Sequence, residues 1–237
     1  MGHPSAVHYI PIFTTLVALA FGVVIFRRWR ERGGTHLLWW GIGMLTYGAG
    51  TITEATTTLL GWHEPVFRAR YITGALLGGA PLAQGTVYLI LSRKTANRLS
   101  ALLIAAIVVA STAVLLSPIN YDLVDPVRLS GKVFGWQWVR AFSPFINLYA
   151  AVFLIGGAAW SAARYWKEAE SSRRAAGNVL IAIGALLPGI GGTFTRFGHV
   201  EVLYVTEFAG LLLIFGGYHL NTTAGAPSIH RAAVAAH

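Results

Sequence analysis

Seven apolar runs of 18 to 25 residues leave this 237-residue chain few ways to fold. They are Tyr9–Phe26, His36–Leu60, Phe67–Leu91, Leu99–Ser117, Val139–Ala163, Ala176–Phe197 and Val200–Leu220. At about 1.5 Å rise per residue, a helix of about 20 residues crosses the hydrocarbon core of a bilayer. In lipid each backbone N–H and C=O must find its partner inside the segment, which leaves helices for runs of this length. Charged residues are 11% of the sequence, against about 25% in a soluble domain. Mean hydropathy is +0.59. A soluble enzyme, a disordered protein and a coiled coil are thereby excluded. The expected fold is an all-α membrane protein, one transmembrane domain over residues 1–237 forming a seven-helix bundle.

Basic residues set the expected direction. With the N-terminus outside, the inner segments hold Arg27, Arg28, Arg30, Arg32, Arg93, Lys94, Arg98, Arg164, Lys167, Arg173, Arg174 and Arg231, twelve in all. The outer segments hold Arg68, Arg70, Arg128, Lys132, Arg140 and Arg196, six in all. An excess of Lys and Arg marks the cytoplasmic side, so the expectation is N-out and C-in, in a prokaryotic inner membrane. The first run is too long for a signal-peptide core and has no basic segment before it, so it reads as a retained span. Tryptophans near the ends of the runs fit an interfacial belt. The +9 formal charge sits between apolar runs, where lipid headgroups are its partner and nucleic acid is not. There is no Cys, which removes disulfides and thiol chemistry.

A duplication is legible. Gly50-Thr51-Ile52-Thr53-Glu54 in the second run matches Gly192-Thr193-Phe194-Thr195-Arg196 in the sixth, at an offset of 142. Arg70-Tyr71 in the third aligns with Glu207-Phe208 in the seventh, at an offset of 137. The pattern suggests repeats over 9–91 and 139–220 joined by a linker helix over 99–117, a parallel 3+1+3 layout of a kind that builds some transporters. At the aligned positions the charges are swapped, Glu54 against Arg196 and Arg70 against Glu207.

Ionisable groups at membrane depth are costly and face a bundle interior. Glu54, Arg70, Arg196 and Glu207 fall in the outer half, with Tyr71, Asn147, Thr206, Tyr204, Thr14 and Thr15 at matching depth. Together they suggest a polar chamber. Glu54 and Glu207 would act as acceptors, and Arg70 and Arg196 would hold those carboxylates or an anionic group. The bland alternative is that Glu54–Arg70 and Glu207–Arg196 only neutralise each other. Gln84 lies deeper, where a hydrogen bond across helices is expected. His63, His199 and Glu201 are outer-side groups of types that can ligate zinc, but no metal-binding spacing accompanies them. No cofactor is expected.

Arg70-Tyr71 followed by Pro81 is similar to part of the third-helix pattern of microbial rhodopsins. That comparison fails, because Lys94, Lys132 and Lys167 all lie in loops and no intramembrane Lys could bind retinal. The 3+1+3 layout resembles SWEET-class sugar transporters, whose Pro-Gln dipeptide and proline tetrad are missing. The stretch from Trp40 to Leu89, with Trp40, Tyr47, Gly50-Thr51, Glu54-Ala55, Gly61-Trp62, Phe67-Arg68, Tyr71, Gly74-Ala75 and Gln84-Gly85-Thr86-x-Tyr88-Leu89, resembles a group of uncharacterised bacterial seven-span membrane proteins. That resemblance implies topology and a bacterial source, and no activity.

The reading that follows is non-enzymatic. The outer-half chamber would bind a small polar or amphiphilic ligand, as a sensor or accessory subunit. A membrane protein partner or a second copy of the protein would carry any signal. The alternatives are a small-molecule or ion transporter built on the repeat, and a membrane-embedded enzyme.

Overall fold

The computed structural model describes residues 5–125, 130–166, 172–195 and 197–223. Among them the fold is helical, with one isolated bridge between Ile119 and Phe134 as its β contact. The helices are α1 (Ile10–Arg32), α2 (Thr35–Leu60), α3 (Glu64–Arg70), α4 (Ala80–Ile90), α5 (Arg93–Leu116), α6 (Phe142–Ala150), α7 (Gly157–Trp166), α8 (Ser172–Thr195) and α9 (Val200–Thr223). Five helical segments are long and apolar enough to cross a membrane: Ala6–Arg32, Arg93–Leu116, Gln137–Trp166, Ser172–Thr195 and Val200–Thr223. Large apolar side groups such as those of Phe13, Leu16, Leu102, Val108, Leu116 and Phe145 point outward. Lipid is the solvent that such a surface suits.

Two of the seven apolar runs behave differently. α2 is long enough to cross at 26 residues, but its Gly and Thr content lowers its apolarity. The third run is not one continuous helix. α3 passes into a π-helical turn, Tyr71–Leu76, and the helix breaks at 77–79 before α4 resumes. Leu77 N–H reaches back to Ile72 C=O at 2.9 Å, one residue further than in an α-helix. Pro81 at the start of α4 supplies no N–H and disfavours helix in the residue before it. The fifth run carries a second π-helical turn, Ala151–Gly156, between α6 and α7.

The helices close a ring. α1 packs on α2 and α9, α9 on α8, and α8 on α7. The ring is completed by α4, which contacts α6, α7 and α2. α5 lies outside it, against α4 and the π turn of the third run. α8 and α9 meet through glycines seven residues apart. Gly177, Gly184 and Gly191 of α8 face Gly217, Gly210 and Leu203 of α9. The order is antiparallel, and small residues let the two backbones touch.

The segment after α5 folds over one end of the bundle. Phe134 is fully buried and packs on Phe67 and Tyr71, with ring centroids 5.3 and 4.9 Å apart. Trp136 and Trp138 stack on each other and stay partly exposed. Arg68 clamps this end. Its guanidinium donates to the C=O of Val114 and, at 2.8 Å, to that of Ser117, the unpaired carbonyls that end α5. It also pairs with Glu64 at 2.6 Å. Glu64 accepts from the Tyr121 hydroxyl as well.

Candidate functional site

α2 organises the site through one stripe. Tyr47, Thr51, Glu54 and Thr58 are spaced four, three and four residues apart, so they share a face of the helix. Each reaches a different neighbour. The Tyr47 hydroxyl donates to the backbone C=O of Glu207 at 3.0 Å. Thr51 meets Thr15 of α1 at 2.8 Å. Arg70 Nη2 donates to Glu54 Oε1 at 2.9 Å. Thr58 meets the Tyr204 hydroxyl of α9 at 2.5 Å. Four contacts along one stripe thus tie α2 to α1, α3 and α9.

Glu54 is buried, with 7% of its surface exposed. Glu207 comes from the facing side of α9, and Glu54, Arg70, Tyr47 and Tyr204 all lie within electrostatic reach of it or of one another. Three buried polar atoms in this cluster have no hydrogen-bond partner: Glu54 Oε2, Glu207 Oε2 and Arg70 Nε. The neighbouring hydroxyls of Tyr47 and Tyr204 are already engaged. A buried polar group without a partner costs about 1–3 kcal/mol, and more when charged. The Glu54 and Glu207 carboxyls lie within hydrogen-bonding reach of each other, so one shared proton would serve both, and Arg70 Nε is the atom left without a partner.

Gly74 sits four residues after Arg70, on the same side of the helix. It is exposed, and a Cβ built there would meet nothing within 4 Å. Gly189 and Gly192 of α8 are equally open. α6 packs on α4 and on the π turn of the third run, whereas α7 and the π turn before it pack on α8. A saturated polar network ties α4, α5 and α6. Gln84 is fully buried. It donates to Ala96 C=O at 3.2 Å and to Ser100 Oγ at 2.7 Å, and accepts from the Tyr149 hydroxyl. Deeper still, Phe21, Trp40, Met44, Leu82 and Tyr218 line an apolar cavity of about 50 Å³.

The other candidate residues divide between this cluster and other surroundings. Glu54, Arg70 and Glu207 come together. Tyr71 instead enters the aromatic layer of Phe67 and Phe134. Asn147 is exposed and donates to Ala75 C=O at 3.1 Å and Ser143 Oγ at 3.0 Å. Thr206 donates back to its own helix, at Val202 and Leu203, and lies against Gly191. Thr14 and Thr15 also bond back, to Ile10 and Pro11. Arg196 lies outside the described residues. Glu201 is 3.9 Å from His8. Among the described residues no three His, Asp or Glu side groups gather as a metal site would require, so His63, His199 and Glu201 do not form one there. Reasoning from charge alone misses Tyr47, Thr51 and Thr58 as site residues, although a polar stripe at helical period in an apolar helix is a signal that sequence carries.

No protein-family model, curated protein or solved structure matches this sequence.

Proposed function

We propose that this is a multi-pass membrane protein of seven spans, N-out and C-in, that binds a small polar molecule in an outer-half chamber and performs no chemistry on it. In this reading it serves as a sensor or accessory subunit and passes its state to a membrane partner. One observation carries the reading: Glu54, Glu207 and Arg70 gather in one buried cluster of the apolar bundle, and Arg70 Nε is left there without a partner. A pair that existed only for packing would leave no such surplus, because buried polar groups in folded proteins are almost all hydrogen-bonded.

The test is native mass spectrometry of the full-length protein in mild detergent. An adduct of defined mass is expected, and it should disappear in Glu207→Gln and Arg70→Gln. A bare protein under conditions that preserve adducts in other membrane proteins would overturn the reading. Flux of a solute into sealed vesicles would replace it with transport.

A further inference from the structure

α2 and α9 are joined differently from the other neighbours in the ring. α9 lies backbone to backbone on α8 through the facing glycines, and it also packs on α1. α2 packs on α1, α3 and α4. Between α2 and α9 the polar ties are made by side chains that span the seam. The Tyr47 hydroxyl donates to Glu207 C=O at 3.0 Å, and Thr58 meets the Tyr204 hydroxyl at 2.5 Å. The third tie is the Glu54 and Glu207 carboxyls, within hydrogen-bonding reach of each other.

Two carboxyls share a hydrogen bond only while one of them carries a proton, because a carboxylate has no donor. With that proton bound, the described cluster is neutral. It then holds one carboxylic acid, one carboxylate and the Arg70 guanidinium, which holds Glu54 Oε1 at 2.9 Å. Without the proton, two carboxylates face one guanidinium in a site where Glu54 is buried, and the tie becomes a repulsion. The other titratable groups beside the pair are Tyr47 of α2 and Tyr204 of α9, both engaged as above. α1 meets α2 here with Thr15, and His8 ahead of α1 is 3.9 Å from Glu201. α4 carries Tyr88, which bonds to Asn97 and Ser100. Residues 175–195 of α8 hold no titratable side chain.

We infer that the Glu54–Glu207 pair is a proton-operated latch between α2 and α9. With one proton bound the seam is closed. As pH rises and that proton leaves for water, α9 moves away from α2, and the glycine contacts carry α8 with it. The inference goes beyond the ligand reading and does not rest on it.

The experiment uses the full-length protein in dodecyl maltoside, which has no ester carbonyl to mask the infrared stretch of a protonated carboxyl. That band is followed against pH. In parallel, spin labels on Leu60→Cys and Val205→Cys, both exposed positions of α2 and α9 in a chain without Cys of its own, report the distance across the seam. The band should be present at neutral pH and fade as pH rises, and the distance should lengthen over the same pH range by about 2 Å, the size of an ordinary helix shift. Glu207→Gln should remove the band, because Glu54 is left ionised on Arg70, and should hold the distance short at every pH, because the amide N–H replaces the shared proton. If Glu207→Gln does not fold, the two pH profiles without that substitution still decide. A band that titrates while the distance stays fixed would overturn the latch. So would a band that survives Glu207→Gln, since the proton would then lie elsewhere. Absence of the band would overturn it as well, and its appearance in Arg196→Gln would name Arg196 as the charge that keeps both carboxylates ionised. None of these outcomes bears on whether an adduct is seen by native mass spectrometry.

Discussion

Gly184 of α8 and Gly210 of α9 face each other so closely that a Cβ on either would stand 2.5 Å from the other's carbonyl oxygen. Gly177 faces Gly217 in the same way one heptad along. The pairing sets the distance between α8 and α9, and so the position of Glu207, three residues before Gly210. Gly184→Ala is expected to push the helices apart and cost about 1–3 kcal/mol, the usual range for overpacking. Gly216→Ala is the matched control, because its nearest neighbour would be Leu180 Cδ1 at 4.0 Å. Thermal unfolding in detergent checks both, and equal midpoints for the two variants would refute the account.

Glu54 and Arg70 form a pair that costs more to break than to remove. Arg70→Gln strands a buried carboxylate, and Glu54→Gln strands a guanidinium. Each should destabilise by about 3–5 kcal/mol, the range for a buried pair that loses one member. The double variant should cost clearly less than the sum. A double-mutant cycle by unfolding in mixed micelles measures the coupling, and strict additivity would show that the two groups do not depend on each other.

The Gln84 network predicts an ordered series. Tyr149→Phe removes one donor to Gln84 and leaves an acceptor short, at about 1–2 kcal/mol. Gln84→Ala removes the whole node, leaving Tyr149 unsatisfied and opening a cavity, and should cost more. Ser100→Ala belongs between none and Tyr149→Phe, because Gln84 still holds Ala96 C=O at 3.2 Å. Unfolding midpoints in that order would support the network as the tie between α4, α5 and α6.

The outer clamp predicts a pH window. Glu64, ahead of the third run, accepts from Tyr121 and from Arg68, and these hold its carboxyl below the ordinary value. A carboxyl lowered by folding contributes stability above its unfolded pKa, about 4.3, and loses it as pH falls through the folded value. The same hydrogen bond to Glu64 raises the Tyr121 phenol. A raised phenol contributes below its unfolded value, about 10, and loses that as pH climbs through the folded one. Protease cleavage after Lys132 should therefore be slowest between these limits and speed up on both sides. Tyr121→Phe should abolish the alkaline limb and shrink the acid one, and Glu64→Gln should flatten both limbs. A profile unchanged by either substitution would mean the clamp does not hold the segment.

Much of this fold can be read without coordinates. Long apolar runs with 11% charge admit helices in lipid and little else, because the backbone has no other way to satisfy itself there. Glu54, Arg70 and Glu207 stand out on the same ground, as charges where charge is costly. Gln84 reads as an inter-helix donor for a similar reason. The breaks are harder to see. Pro81 flags a disturbance in the third run, but the π turns at Tyr71–Leu76 and Ala151–Gly156 leave no comparable mark in composition.

What the sequence determined by itself was the solvent, the helical class and the short list of costly groups, since each follows from local transfer energies. Only the tertiary structure decided which of those groups meet. Helix rotation and mutual height place Arg70 on Glu54, send the adjacent Tyr71 into the aromatic layer and turn Asn147 toward Ala75. One residue along a helix is a rotation of about 100°, so neighbours in sequence enter different surroundings. That angle is fixed by the packing of the whole bundle, including the glycine contacts of α8 and α9, and no single run encodes it.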